Sequence, residues 1–278
     1  MPAASPANRV PVNALPVRRR ALVPRPVRAV GRNALVAIGV IVLWEVLVTA
    51  LAVPPVIFPD PVTVFQAFGD LVANGFGGIP LSEHLSLSAF RILSGFGLGV
   101  VLGMPLGFAM GRAELVRGFV TPFIALIRPL PAFAYLAVLL VWFGIGEGPK
   151  VAVVLVGAVS IMTITTMDAV RRIPSEYEDS ARTLGATRFQ VYRHVLLPSA
   201  LPTILDGARV AMAQSWTCVI AAEFVAAREG VGVIILQAAD YLRTDQTVAG
   251  LILVAILGGL SDLVLVLIAR PMQAWRTR

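Results

Sequence analysis

Five polar side chains stand in stretches otherwise apolar enough to lie in a lipid bilayer: Arg128, Gln214, Ser215, Trp216 and Glu223. Polar groups are costly in hydrocarbon and face the interior of a bundle or a water-filled path. Arg128 stands about nine residues into its apolar run, ~13 Å deep by helical rise. A guanidinium there binds two oxygens of a passing oxyanion at once. The competing reading starts the membrane helix near Pro131 and lets Arg128 snorkel to the headgroups. Gln214, Ser215, Trp216 and Thr217 form a polar, aromatic stretch midway along a later run, open to two readings, pore lining or interhelical packing. Glu223 either belongs to a gate or pairs with Arg91. Asp206 and Arg209, spaced i to i+3, read as a local helix pair, and Asp168 and Asp262 stay ambiguous.

None of these groups makes a catalytic constellation. The sequence has no Gly-x-x-x-x-Gly-Lys-Ser/Thr phosphate loop. It has no His-rich pair, Ser/Lys dyad or intramembrane Asp pair at helical spacing, so a membrane-embedded enzyme has no support. Two distant histidines, His84 and His194, and the single Cys218 give neither a metal centre nor an intrachain disulfide.

The elements that must position these residues follow from composition. Apolar residues make up 57% of the chain and charged ones 14%, against about 25% charged in a soluble domain. With a mean hydropathy of +0.83, this is an integral, all-α membrane protein. The net charge of +7 resides in one place: Arg9, Arg18, Arg19, Arg20, Arg25, Arg28 and Arg32, with no acidic residue before Asp60 except Glu45. This Pro-rich tail, residues 1–33, lacks aromatics and reads as a disordered topological anchor, not a nucleic-acid arm.

A membrane helix needs ~20 apolar residues to cross a core ~30 Å thick. Six stretches qualify, about residues 34–53, 86–111, 119–143, 151–170, 208–227 and 248–269. The third contains Pro122, Pro129 and Pro131. The first resembles a signal peptide around Ala50-Leu51-Ala52, but Glu45 interrupts it and further spans follow. Glycines at small-residue spacing, Gly95, Gly99, Gly103 and Gly107, allow close helix packing and, secondarily, a dimer surface. If the spans alternate, the tail, Arg112, Arg117, five arginines within 171–197 and Arg270, Arg276 and Arg278 share one side. The positive-inside rule places that side, both termini and the short tail 271–278 in the cytoplasm.

The longest polar island, residues 178–198 within a loop over 174–198, lies on the same side. Ser175-Glu176-Tyr177-Glu178 and Thr187-Arg188-Phe189-Gln190 both have capping-box form, with Gly185 between them as a helix stop. The expectation is a helix over 176–184, a glycine turn, and a second helix from 188 to about 196 closed by Leu197-Pro198 and Pro202. Ser180 and Ala181 leave the first helix a shallow face. Phe189, Tyr192 and Val195 make an apolar stripe on the second.

Asp179-Ser180-Ala181, three residues, Gly185, nine residues, then Val195-x-Leu197-Pro198 resembles the EAA loop of permease subunits of bacterial ABC importers. That pattern is Glu-Ala-Ala, three residues, Gly, nine residues, Ile-x-Leu-Pro; here Asp179 and Ser180 replace the first Glu and Ala. The resemblance extends through Phe58-Pro59-Asp60-Pro61, Arg128-Pro129-Leu130-Pro131, Trp142-Phe143-Gly144-Ile145-Gly146 and Ala221-Ala222-Glu223-Phe224. These stretches are similar to the nitrate/sulfonate/taurine branch, and most of all to taurine permeases.

The resemblance implies a type I importer permease fold in the bacterial inner membrane and no catalysis by this chain. It implies a homodimer with a second permease copy, two cytoplasmic ATPase subunits that use ATP and magnesium, and a periplasmic or lipid-anchored binding protein. Glu178, Asp179, Ser180, Ala181, Thr183, Leu184, Gly185, Ala186, Phe189, Tyr192, Leu197 and Pro198 would form the ATPase-docking coupling loop. The cargo would be taurine or another sulfonate, with nitrate, bicarbonate or a thiamine-precursor-like ligand as the alternative. An ion-coupled secondary transporter is the distant alternative; it would show more spans and an inverted repeat.

Overall fold

The computed structural model describes residues 26–273; most of the basic tail expected over 1–33 and the end of the 271–278 tail lie outside them. The chain divides into two compact units, Met1–Leu47 and Val48–Arg278. The first contains most of helix α1 (Pro26–Ala50), so residues 26–33, expected in the tail, are already helical. Leu35, Val36 and Ile38 of α1 are exposed apolar side chains.

The second unit is also helical. It begins with α2 (Pro61–Asn74), which follows a local rule: Asp60 accepts bonds from the Thr63 N–H at 2.8 Å and the Thr63 hydroxyl at 2.5 Å. Those bonds hold the Asp60 carboxyl below its ordinary pKa. Helix α3 (Leu81–Arg112) is followed by α4 (Glu114–Ile127), α5 (Ala132–Phe143) and α6 (Glu147–Arg171). Two short helices, α7 (Ser175–Thr183) and α8 (Arg188–Val191), lead into α9 (Leu197–Ala226). The chain ends with α10 (Val231–Asp240) and α11 (Thr244–Gln273).

Among the described residues four helices are long and apolar enough to cross a membrane, beginning at Leu81, Glu147, Arg188 and Thr244. The third expected span is not one rod. Its halves, α4 and α5, meet at a 102° bend. Pro129 and Pro131 cause it: neither donates a backbone bond, and a helical Pro131 would press its ring on the Ile127 carbonyl. Leu130, preceding a proline, is pushed out of helical geometry, and Pro131 (ψ 144°) starts α5 afresh. Counted as one span, the bent pair makes a fifth.

Helix α6 is the central post, between α3 and α9. Every fourth residue of α3 from Gly95 to Gly111 is glycine, and that ridge lies directly on α6. A Cβ at Gly99 would stand 2.4 Å from the Ala158 Cβ, and one at Gly107 would stand 2.5 Å from the Thr163 carbonyl oxygen. The small-residue stripe therefore packs two helices of one chain. Its four-residue period is the ridge spacing that lets backbones approach. Beyond it, Met162, Ile204 and Ala211 close one apolar cluster, and Val153, Val154, Cys218 and Val219 another.

Candidate functional site

The 174–198 segment forms one end of the second unit. Pro174 takes the N-cap position of α7 and no side chain caps it. The first expected capping box is absent because Ser175 is already the first helical residue, one step too late to reach the amide. Gly185 ends the helix at φ +84°. Its N–H donates to the Arg182 carbonyl at 2.9 Å, and Ala186 N–H donates to Ala181 at 3.0 Å, a left-handed C-cap. The second box forms in full: Gln190 N–H donates to the Thr187 hydroxyl, and Thr187 N–H to the Gln190 side-chain oxygen.

Leu197-Pro198 and Pro202 do not close this second helix. Residues Tyr192–Leu196 form a π turn in which Leu197 N–H donates to the Tyr192 carbonyl, five residues back. The widened turn needs no donor from Pro198 and relieves its ring, so the helix runs on as α9.

Side chains divide this segment into two faces. Glu178 turns inward: its carboxylate accepts two bonds from the Arg112 guanidinium at the end of α3, and Arg182 stands 3.7 Å away. Tyr192 meets the Phe108 ring of α3 edge-on at 5.2 Å. Val191 and Leu196 are buried, and Leu197 and Pro198 half-buried. Asp179, Ser180, Thr183, Leu184, Gly185 and Phe189 face outward, with Leu184 88% and Phe189 67% exposed; Ala181 and Ala186 are half-buried. Two large apolar side chains thus stand in the open on a segment whose other face is clasped to α3. Sequence reasoning missed Arg112, since nothing local joins it to a partner 66 residues away.

At the opposite end of α3 and α6 lies an ion network, buried except at Glu147. Arg91, 1% exposed, donates from Nε and Nη2 to Glu147 at 2.6 and 2.9 Å, and from Nη1 to Glu223 at 2.7 Å. Lys150 holds Glu147 at 2.8 Å. Ser88 donates to Glu223 at 2.6 Å, and the Gly232 N–H donates to its other oxygen at 2.8 Å. Two cations and two carboxylates balance, and α3, α6, α9 and the start of α10 are joined. The backbone wraps so closely around Glu223 that a Cβ at Gly230 (φ +139°) would meet its carboxyl carbon at 2.4 Å. Of the two readings of Glu223, the pair with Arg91 is the one seen. The expected Asp206–Arg209 pair is replaced by a longer-range one: Arg209 forks onto both oxygens of Asp262 on α11, at 2.6 and 2.8 Å. A neighbour at i−3 does not offer that bidentate fit.

A cavity of about 410 Å³ opens beside the α4–α5 break, lined by Arg128 and Gln214 together with Tyr135, Gly157, Ser160 and Thr217. The other pathway candidates lie elsewhere. Ser215 is buried and donates to the Ala211 carbonyl at 2.8 Å. Trp216 turns toward α11, its Nε1–H donating to Ser261 at 3.3 Å. The turn of α9 decides this: Gln214 and Thr217, three residues apart, share the cavity face, while 215 and 216 point away. Among the described residues no group of three His, Cys, Asp or Glu side chains is placed to hold a metal ion.

Comparison with known proteins agrees with this arrangement. Residues 99–274 match the family described as "Binding-protein-dependent transport system inner membrane component". The taurine transport system permease protein TauC of Escherichia coli is 34% identical over 84% of this chain and 85% of its own length. The putative aliphatic sulfonates transport permease protein SsuC of the same organism is 32% identical over 86% and 89%. A solved inward-facing structure of the MetNI methionine ABC transporter superposes with a TM-score of 0.61 at 24% identity, covering 69% of this chain and 95% of that one. The chain belongs to the binding-protein-dependent transport system inner membrane components, the multi-pass, non-catalytic permease subunits of ABC transporters.

Proposed function

We propose that this chain is the permease of an ATP-driven importer for taurine or another small sulfonate. Two copies pair in the membrane, each with six spans and both termini in the cytoplasm, α1 supplying the first span. Two ATPase subunits consume ATP and magnesium, and a soluble or lipid-anchored binding protein delivers the cargo from outside. The observation that carries this reading is the two-faced coupling segment. Its inner face is held by Arg112 and Phe108, and its outer face presents Leu184 and Phe189 to a partner. Closure of the ATPase pair then displaces α7, and the Glu178–Arg112 bonds and the continuous α8–α9 backbone carry that displacement into α3 and α9 as a rigid-body switch. The sulfonate assignment is supported by the 34% and 32% identical permeases.

The test is ATP-dependent uptake of taurine by the complete complex reconstituted in vesicles. Gly185→Pro removes the Gly185 N–H bond and excludes the positive φ. The complex should still assemble and hydrolyse ATP, while taurine uptake per ATP falls at least tenfold, as the loss of ~1.4 kcal/mol of coupling requires. Uptake at the wild-type ratio contradicts the coupling role.

A further inference from the structure

Arg128, at the C-cap of α4, is a cation that no carboxylate holds among the described residues, as are Arg171 and Arg270 at the ends of α6 and α11. Arg91, Lys150 and Arg209 are each held by a carboxylate. The Arg128 side chain has neither a hydrogen bond nor an ion pair among the described residues, only its backbone N–H being bonded, to Ile124. It lies ~20 Å along α4 from Glu114 by helical rise, at the break where α4 and α5 part. The cavity of about 410 Å³ beside it falls in the ~300–1,000 Å³ range of small-molecule sites.

The lining chemistry is one-sided. Ser160 on α6 and Gln214 and Thr217 on α9 are polar and uncharged, Tyr135 supplies an aromatic wall, and no Asp or Glu borders the space. The first turn of α5, uncapped by any side chain, also lines it and adds positive potential. Arg128 is exposed and lines this space with no carboxylate beside it, so its guanidinium is open to an anion. Its planar fork fits two oxygens of a sulfonate, leaving the third oxygen and an amino group to the hydroxyls and the amide.

We infer that this cavity is a sulfonate-binding station within the permease, where Arg128 holds the anionic head of the cargo between release from the binding protein and entry into the cell. The inference rests on the importer reading above and adds a second point of selection to it. Losing one charge-assisted fork, ~1.5–3 kcal/mol, corresponds to about tenfold or more in rate.

The experiment is taurine uptake by the complete vesicle-reconstituted complex carrying Arg128→Gln or Arg128→Lys. Uptake should fall at least tenfold with glutamine and recover in part with lysine, which keeps the charge. Wild-type uptake by Arg128→Gln overturns the station, as does equal loss in both variants, which makes Arg128 a packing residue. Where Arg128→Gln does not assemble, Gln214→Glu decides. This isosteric change of an exposed side chain puts a carboxylate in the cavity and should cut uptake to the same extent; wild-type uptake overturns the station. Failure of the sulfonate reading is seen separately, as a wild-type complex that does not move taurine. The same variants are then read on nitrate uptake, with the same outcomes deciding.

Discussion

Arg91→Met should be the most damaging single substitution in this permease, lowering stability by about 3–5 kcal/mol. It leaves Glu223, whose side chain is fully buried, without a cation, while Glu147 keeps Lys150. Glu223→Ala should cost less. It leaves Arg91 on Glu147, but two buried cations then share one carboxylate. Glu223→Gln should be milder still, because the amide oxygen keeps the Gly232 N–H bond. The double variant Arg91→Met, Glu223→Met removes one charge of each sign and leaves the balanced Glu147–Lys150 pair. It should therefore be more stable than Arg91→Met alone, a reversal expected only of a coupled buried pair. Thermal unfolding of the purified protein in detergent reads the series. Equal stability of Arg91→Met and the wild type, or a double variant worse than both singles together, contradicts the network.

Gly99→Ala and Gly97→Ala should move stability in opposite directions. Both add one methyl to α3, two residues apart. At Gly99 the methyl meets the Ala158 Cβ at 2.4 Å and the Val159 amide nitrogen at 3.1 Å, backbone and a rigid methyl that cannot swing aside. The helices must separate along the whole ridge, an overpacking cost of about 1–3 kcal/mol. At Gly97 nothing lies within 4 Å, and the helix gains up to about 1 kcal/mol from alanine's propensity. Melting temperatures of the two variants decide. Equal destabilisation by both would mean that α3 does not meet α6 along the Gly95–Gly111 ridge.

What was legible in the sequence depended on the range of the physics involved. The helix stop at Gly185 and the Thr187 box are local patterns, and both stand as read. The stretches 151–170 and 248–269 are long apolar runs and lie within α6 and α11. Expectations went astray where one proline rule was applied without its surroundings. Pro129 and Pro131 break a helix that hydropathy reads as continuous, while Pro198 is absorbed because a π turn precedes it and Pro202 lies inside α9. Long-range partners were mostly hidden. Arg112 with Glu178, and Arg209 with Asp262, have no sequence signal beyond opposite charge. Helix α10 was missed because ten residues are too short for a hydropathy window, although five of its first turns' residues, Val231 to Ile235, are all buried.

The central claim, that the outer face of the 174–198 segment seats in the ATPase, is tested by labelling one thiol. Cys218 is buried and is the chain's single cysteine, so Leu184→Cys, at a position 88% exposed, becomes the one accessible thiol. Reaction with a water-soluble thiol reagent should be fast in the permease freed of ATPase and at least tenfold slower in the assembled complex. A control thiol at Leu115, exposed on α4, should not be protected in this way. Labelling of Leu184→Cys at the same rate with and without the ATPase would contradict the account.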